Sequence, residues 1–284
     1  SGAVALPTRL APLLQHPSKP RSASPPMTEL RWRLVLDGAR RGAENMARDH
    51  ALARCLKPGE GVLRLYGWAR PTVSFGRNEP ARGAYSREEG EARGLSFVRR
   101  PTGGRAVLHH REVTYAVAVP DRALGGPREA YGAINRGLVR GLAELGVSAR
   151  VAGEGAVTGL DGGPCFRVPA PGEITAAGRK LVGSAQVRLE GALLQHGSVI
   201  LEGDQRLLGT LRDGETDPGD HPATVASLVP GDYNAAVVEA ALARGCRLAW
   251  GGRWTEAGYR SREAEEAERL RRERYDTDEW TWRR

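Results

Sequence analysis

Cys165 and Lys180, fifteen residues apart, are the side chains of this sequence best suited to covalent acyl chemistry. A free thiol titrates near ~8.5, so it needs a nearby cation to be a useful nucleophile at neutral pH. Gly162-Gly163-Pro164 sets Cys165 in loop chemistry. Cys55 and Cys246 fall on or beside expected helices, where a cysteine is ordinarily a small buried hydrophobe. Lys180 is one of three lysines, with Lys19 and Lys57, in a chain crowded with arginine. An amine can exchange a proton where a guanidinium effectively cannot. Lys180 can therefore steady a Cys165 thiolate and later take a proton from an attacking amine. On these residues alone a buried thiol and an ordinary surface lysine stay open as readings.

A second segment carries Arg99, Arg100, Thr102, Gly103, Gly104 and Arg105. A Thr-Gly-Gly loop permits tight turns and close backbone approach to a ligand, with free N–H donors. The three arginines could hold a phosphate or carboxylate. The loop lacks a Walker lysine-serine ending and the G-x-G-x-x-G pattern. His109, His110 and His196 do not read as a metal set, because no carboxylate sits at ligand spacing. His109 and His196 are expected beside the site, and His50, on the buried face of a helix, as structural.

These segments need a scaffold. A strand is predicted over Leu30–Leu36, a turn at Asp37-Gly38, and a helix from Ala43 to Leu56 with Met46, His50, Ala53 and Leu56 on one face. Val62–Tyr66, Thr72–Phe75 and Leu95–Val98 read as strands, with a short helix over Arg87–Arg93. Val113–Val119 alternates as a half-buried strand does. Tyr131–Leu145 is an amphipathic helix closed by Gly146, and Ala149–Val157 a further strand. Glu173–Ala176, Lys180–Ser184 and Leu193–Leu201 form a strand cluster with turns at Gly178 and Gly191. Helices are expected over Asp232–Ala243 and Ser261–Arg274, the second solvated and laced by Glu265/Arg269 and Glu268/Arg272. Trp280 and Trp282 are expected to dock on the body. Without a regular βαβ rhythm, the pattern favours α+β, with mixed or antiparallel sheets and packed helices.

No apolar run approaches the roughly 18 residues of a membrane span. Three scattered cysteines fit neither a disulfide framework nor a zinc knuckle, so a cytoplasmic setting is expected. A net charge of +8 favours acidic partners, and there is no nucleic-acid-binding signature. Residues 1–26, rich in Pro and Ser, read as a flexible extension, and 27–284 as a single catalytic domain with a helical tail, monomeric.

In order, WRLVLDGARRGAENMARDHAL, RRPTGGRAVLH, EVTYAVAVP, GRKLVGSAQVR and LLQHGSVIL resemble the lipoate–protein ligase and octanoyltransferase superfamily. The resemblance implies a biotin/lipoate protein ligase-like catalytic domain. The Gly103-Gly104-Arg105 loop, with Cys-Phe ahead of the Gly-Arg-Lys segment, is most like the LipM-type octanoyltransferases. It implies a Cys165 acyl-thioester assisted by Lys180, with no cofactor. Substrate binding would fall on Arg99, Arg100, Thr102, Gly103, Gly104, Arg105, Ala106 and His109, and on Gly183, Ser184, Gln186, His196 and Gly197. The implied partners are octanoyl-acyl carrier protein and the lipoyl domains of glycine cleavage H protein or 2-oxoacid dehydrogenase E2. Three rivals remain: an ATP-dependent lipoate–protein ligase, an amidotransferase moving octanoyl between lipoyl proteins, and a basic binding protein.

Overall fold

The computed structural model describes residues 30–153, 172–203, 205–212, 221–231 and 233–284. The expected 1–26 extension and Cys165 lie outside them, as do much of the expected strand to Val157 and the start of the Asp232 helix. In chain order the strands are β1 (Arg31–Arg40), β2 (Glu60–Trp68), β3 (Thr72–Phe75), β4 (Ser96–Arg99), β5 (Val107–His109), β6 (Glu112–Pro120), β7 (Ala149–Val151), β8 (Ile174–Ala176), β9 (Arg179–Leu189), β10 (Ala192–Ile200) and β11 (Arg253–Glu256). The helices are α1 (Gly42–Arg54), α2 (Arg87–Ala92), α3 (Pro127–Glu144), α4 (Arg206–Thr210), α5 (Val225–Leu228), α6 (Ala235–Trp250), α7 (Ser261–Leu270) and α8 (Asp278–Thr281), with a π-helical turn over Arg271–Tyr275. None is long and apolar enough to cross a membrane.

The α+β expectation holds. Eight strands form one sheet in the order β11-β1-β2-β6-β10-β9-β8-β7, and three form a small sheet, β4-β3-β5. In the large sheet β1 runs parallel to both neighbours and the other pairs are antiparallel. The β8–β9 and β9–β10 hairpins turn on Ala177-Gly178 and Glu190-Gly191, all four residues at positive φ, as type I′ loops require. The turn expected at Asp37-Gly38 is instead a bulge inside β1, where the register with β2 shifts between Leu36 and Ala39.

Helices cover both faces of the large sheet, which corrects the half-buried reading of β6. Val113, Tyr115, Val117 and Val119 face the core shared with α3 and α6. Ala116 and Ala118 are buried too, against α1 residues such as Met46 and Ala47. The alternation is large against small, not buried against wet. Helix α7 likewise buries Glu263, Ala267 and Leu270. Arg269 pairs with Glu266 (2.7 Å) and Glu273 rather than with Glu265, whereas Arg272 does meet Glu268 (3.7 Å). Trp282 docks as expected, among Phe75 and Phe97 (centroids 5.2 and 5.0 Å).

The composition of α3 explains how closely α6 approaches it. A Cβ on Gly137 would strike the Trp250 indole, one on Gly141 would strike Leu242, and one on Gly245 would enter the Gly141 backbone. Because the obstacle at Gly245 is main chain, it cannot rotate away. Gly245→Ala should destabilise the protein by about 1–3 kcal/mol, read as a lower urea midpoint at unchanged m-value.

Candidate active site

The glycine loop between β4 and β5 is shaped by the two arginines that open it. Arg100 donates to the carbonyls of Ser74 (2.8 Å), Gly103 (2.9 and 3.2 Å) and Arg105 (2.6 Å). Arg99 donates to Gly76 (2.6 Å), Glu79 (2.8 Å), Trp280 (3.1 Å) and Thr281 (3.0 Å) carbonyls. Both side chains are buried. Their guanidinium groups build the loop, and Arg100 also lines the cleft beneath it.

The loop borders a narrow cleft of about 50 Å³. Of the residues singled out in the sequence, Arg100, Gly104, His109, Gly183, Ser184, His196 and Gly197 line it. Gly183 and Gly197 are register neighbours, since Gly197 pairs with Ser184 and Ser198 with Gly183. A Cβ on Gly197 would strike the Gly183 carbonyl, so this wall is nearly bare backbone. Met46, Tyr66, Trp68 and Val107 supply apolar lining. Thr102 stands behind His196. Gly103 is exposed, Ala106 is buried, and Arg105 and Gln186 are half-buried.

Each histidine is held between a carboxylate and a hydroxyl. His196 meets Asp49 through Nδ1 (2.9 Å) and Thr102 Oγ1 through Nε2 (2.7 Å). His109 meets Glu112 through Nδ1 (2.8 Å) and Ser74 Oγ through Nε2 (2.7 Å). A carboxylate only accepts, so in each ring Nδ1 carries a proton and donates it. Asp49 also accepts from Arg64 (2.6 Å) and the Tyr66 hydroxyl (2.8 Å). Glu112 also accepts from Ser198 (2.6 Å), Thr114 (2.5 Å) and the Trp68 indole (3.1 Å). Trp68 stacks on His109 at 4.0 Å between centroids.

Ser184 bonds the Tyr115 hydroxyl (2.6 Å), which accepts from Gln195 (2.7 Å), itself joined to Asn135 (3.0 Å) and Gln186 (2.7 Å). Lys180 is buried on β9, three residues before Gly183, and its Nζ meets Glu173 Oε1 at 2.5 Å. Cys246 is fully buried and its thiol is pushed far up by burial, and Cys55 is also pushed up by burial. Neither makes a ready nucleophile.

Asp49, Glu112, Ser74 and Glu173 escaped sequence reasoning. Their signals were present: Asp49 sits one turn after Asn45 beside the apolar Met46 face, and Glu112 is three residues after His109. Read alone, each passes for a surface acid.

These buried groups make stability fall in acid. Burial holds His196 below its ordinary range, and burial with nearby Arg274 and Arg54 lowers His50 to about 4. Burial pushes Glu112 up, but His109, Ser198 and Thr114 more than offset it and hold the carboxyl low. All three are depressed, so the unfolded chain binds protons first as pH falls. Unfolding free energy should drop between pH 6.5 and 4, by at most about 1.4 kcal/mol per pH unit per histidine. His50→Gln should lose its share of that slope, whatever its absolute stability; chemical denaturation across this range reads it.

Residues 41–230 match the family model for the lipoyl protein ligase A/B catalytic domain. The octanoyltransferase LipM of Kyrpidia tusciae is 40% identical over 272 residues, spanning 89% of this chain and 99% of its own. That of Symbiobacterium thermophilum is 38% identical over 279 residues, spanning 90% and 100%. A lipoate-protein ligase A solved with ATP superposes with a TM-score of 0.76 at 24% identity, covering 89% of this chain and 98% of that one, which shows the shared fold. The chain thus belongs to the lipoyl protein ligase A/B catalytic-domain family.

Proposed function

We propose that this chain, an acyltransferase, moves octanoyl from octanoyl-acyl carrier protein to a lipoyl-domain lysine through a Cys165 thioester. The acceptor class is that of glycine cleavage H protein and the 2-oxoacid dehydrogenase E2 subunits. The observation that carries the reading is end-to-end kinship with proteins named octanoyltransferase, at up to 40% identity. The geometry supports it in two ways. With Cys246 buried and Cys55 deactivated, Cys165 is left as the candidate nucleophile among three cysteines. Arg99 and Arg100, which in a ligase would help cradle an acyl-adenylate, spend much of their donor capacity on main-chain carbonyls. That favours the transferase over an ATP-dependent ligase.

In the first step the Cys165 thiolate attacks the thioester carbonyl. The donor's carbon–sulfur bond breaks, and the carrier leaves as a thiolate that takes up a proton. In the second, a neutral acceptor amine attacks the acyl-enzyme, forms the amide, and returns Cys165 as thiolate while the ammonium proton passes to a base. Lys180, fixed in place by Glu173, steadies the thiolate and relays the proton. Thioester to amide runs downhill, so the exchange needs no nucleotide. The bare Gly183–Gly197 wall and the Met46, Tyr66 and Trp68 lining suit an unbranched acyl chain.

Intact-mass analysis with octanoyl-carrier protein and no ATP should give a hydroxylamine-labile octanoyl adduct on the wild type and none on Cys165→Ser. Modification of an apo lipoyl domain only when lipoate and ATP are added would hand the reading to a ligase. Lys180→Met should raise the apparent pKa of Cys165 alkylation by about 1–3 and slow acylation by about 100-fold or more.

A further inference from the structure

Four arginines crowd the outer side of the glycine loop, and among the described residues no side-chain carboxylate pairs with them. The backbone N–H of Arg77 donates to the Thr102 carbonyl (2.8 Å), which sets Arg77 against the loop whose Gly104 lines the cleft. Arg283 donates to the Arg77 carbonyl. Arg274 and Arg283 both lie over the Trp280 ring, their guanidinium carbons 4.6 and 4.1 Å from its centroid. The main-chain carboxylate of Arg284 accepts from the amides of Ala81 (2.8 Å) and Arg82 (2.5 Å). Arg77 and Arg284 are exposed and the other two half-buried.

Three of the acids nearby have other partners. Asp276 pairs with Arg271, and Asp278 with Arg87 (2.8 Å). Glu79 accepts from the Gly76 amide (3.2 Å) and the Tyr85 hydroxyl (2.9 Å). Burial, then Arg77, Arg284 and Arg274, draws Arg283 below the ordinary arginine range, the sign of cations repelling one another. Stacking on an indole tolerates a guanidinium, but it leaves the charge unneutralised. An anion arriving here would relieve that repulsion and be steered to the cleft.

Both protein substrates of the proposed reaction are expected to be acidic, and they differ in the group each brings to the cleft. The acceptor presents a lysine, an ammonium with pKa near ~10.4 before it reacts, which a cationic rim repels. The donor presents its thioester on an arm joined to the carrier through a phosphodiester, whose paired oxygens match guanidinium forks. Building on the octanoyltransferase reading, we infer that Arg77, Arg274, Arg283 and Arg284 form the docking rim for the acyl-donor carrier protein. The rim receives the phosphodiester and the acidic side chains around it, and the acceptor approaches from another side.

Three rates test this on the full chain: acylation by octanoyl-carrier protein, acylation by phosphate-free octanoyl-pantetheine, and chase of the preformed acyl-enzyme with an apo lipoyl domain. The variant is Arg77→Gln/Arg274→Gln/Arg284→Gln, which spares the Arg283 bridge. Its kcat/KM for the carrier protein should fall by about tenfold or more, mainly through KM, with a shallower salt dependence. The other two rates should stay within about twofold. An equal loss with octanoyl-pantetheine would mean that the rim acts through the loop; a loss in the chase would give it to the acceptor; no loss at all removes it. Each outcome overturns the inference while leaving the enzyme's acylation intact in the wild type. A wild type that accepts octanoyl from neither thioester removes the functional reading, and the rim with it. Arg77→Glu, at an exposed position, repeats the comparison if the triple variant folds poorly.

Discussion

A wholly buried guanidinium organises the site from behind. Arg64 has no exposed surface and is surrounded by Asp37, Asp49 and Asn45, with its cation over the Tyr66 ring at 3.7 Å. Taking such a charge from water is costly, and removing one partner of a buried pair typically costs about 3–5 kcal/mol. The chain therefore has to bring β1, β2 and α1 into one arrangement. Once they are there, Asp49 projects from α1 and fixes the ring of His196 on β10, which in turn holds Thr102. The glycine loop inherits its position from an ion pair it never touches.

The same economy appears on the opposite wall. Glu112 gathers donors from His109, Thr114, Ser198 and Trp68, tying β2, β5, β6 and β10 to one carboxylate. Both histidines thus point an already satisfied Nε2 at a hydroxyl. These bonds fix both rings against the cleft wall.

The main strands and helices were legible because period and punctuation are local. Gly178 and Gly191 marked the hairpins, and the α3 face showed its 3.6-residue repeat. What escaped depends on distant partners. Strand β11 is four residues of Arg-Trp-Thr-Glu that become a strand beside β1, where Trp254 stacks on Trp32 at 5.2 Å. The cleft-lining histidines and glycines were found by their motifs. The main-chain bonds of Arg99 and Arg100 could not be read in advance, because an arginine's sequence context is silent about which carbonyls it meets. Asp49 and Glu112 were passed over for the converse reason: burial turns an apparent surface acid into a fixed acceptor, and burial is a property of the assembled sheet.

The clasp between Arg99 and the Trp280–Thr281 backbone joins residues up to 182 positions apart, and the Trp280 indole returns a bond to the Arg99 carbonyl at 2.8 Å. Contacts of such separation form late in folding and keep a growing chain incomplete. On the ribosome, the glycine loop emerges long before the segment that seats it. Residues 280 and 281 must therefore be synthesised before the Arg99 side chain can meet all of its carbonyl partners.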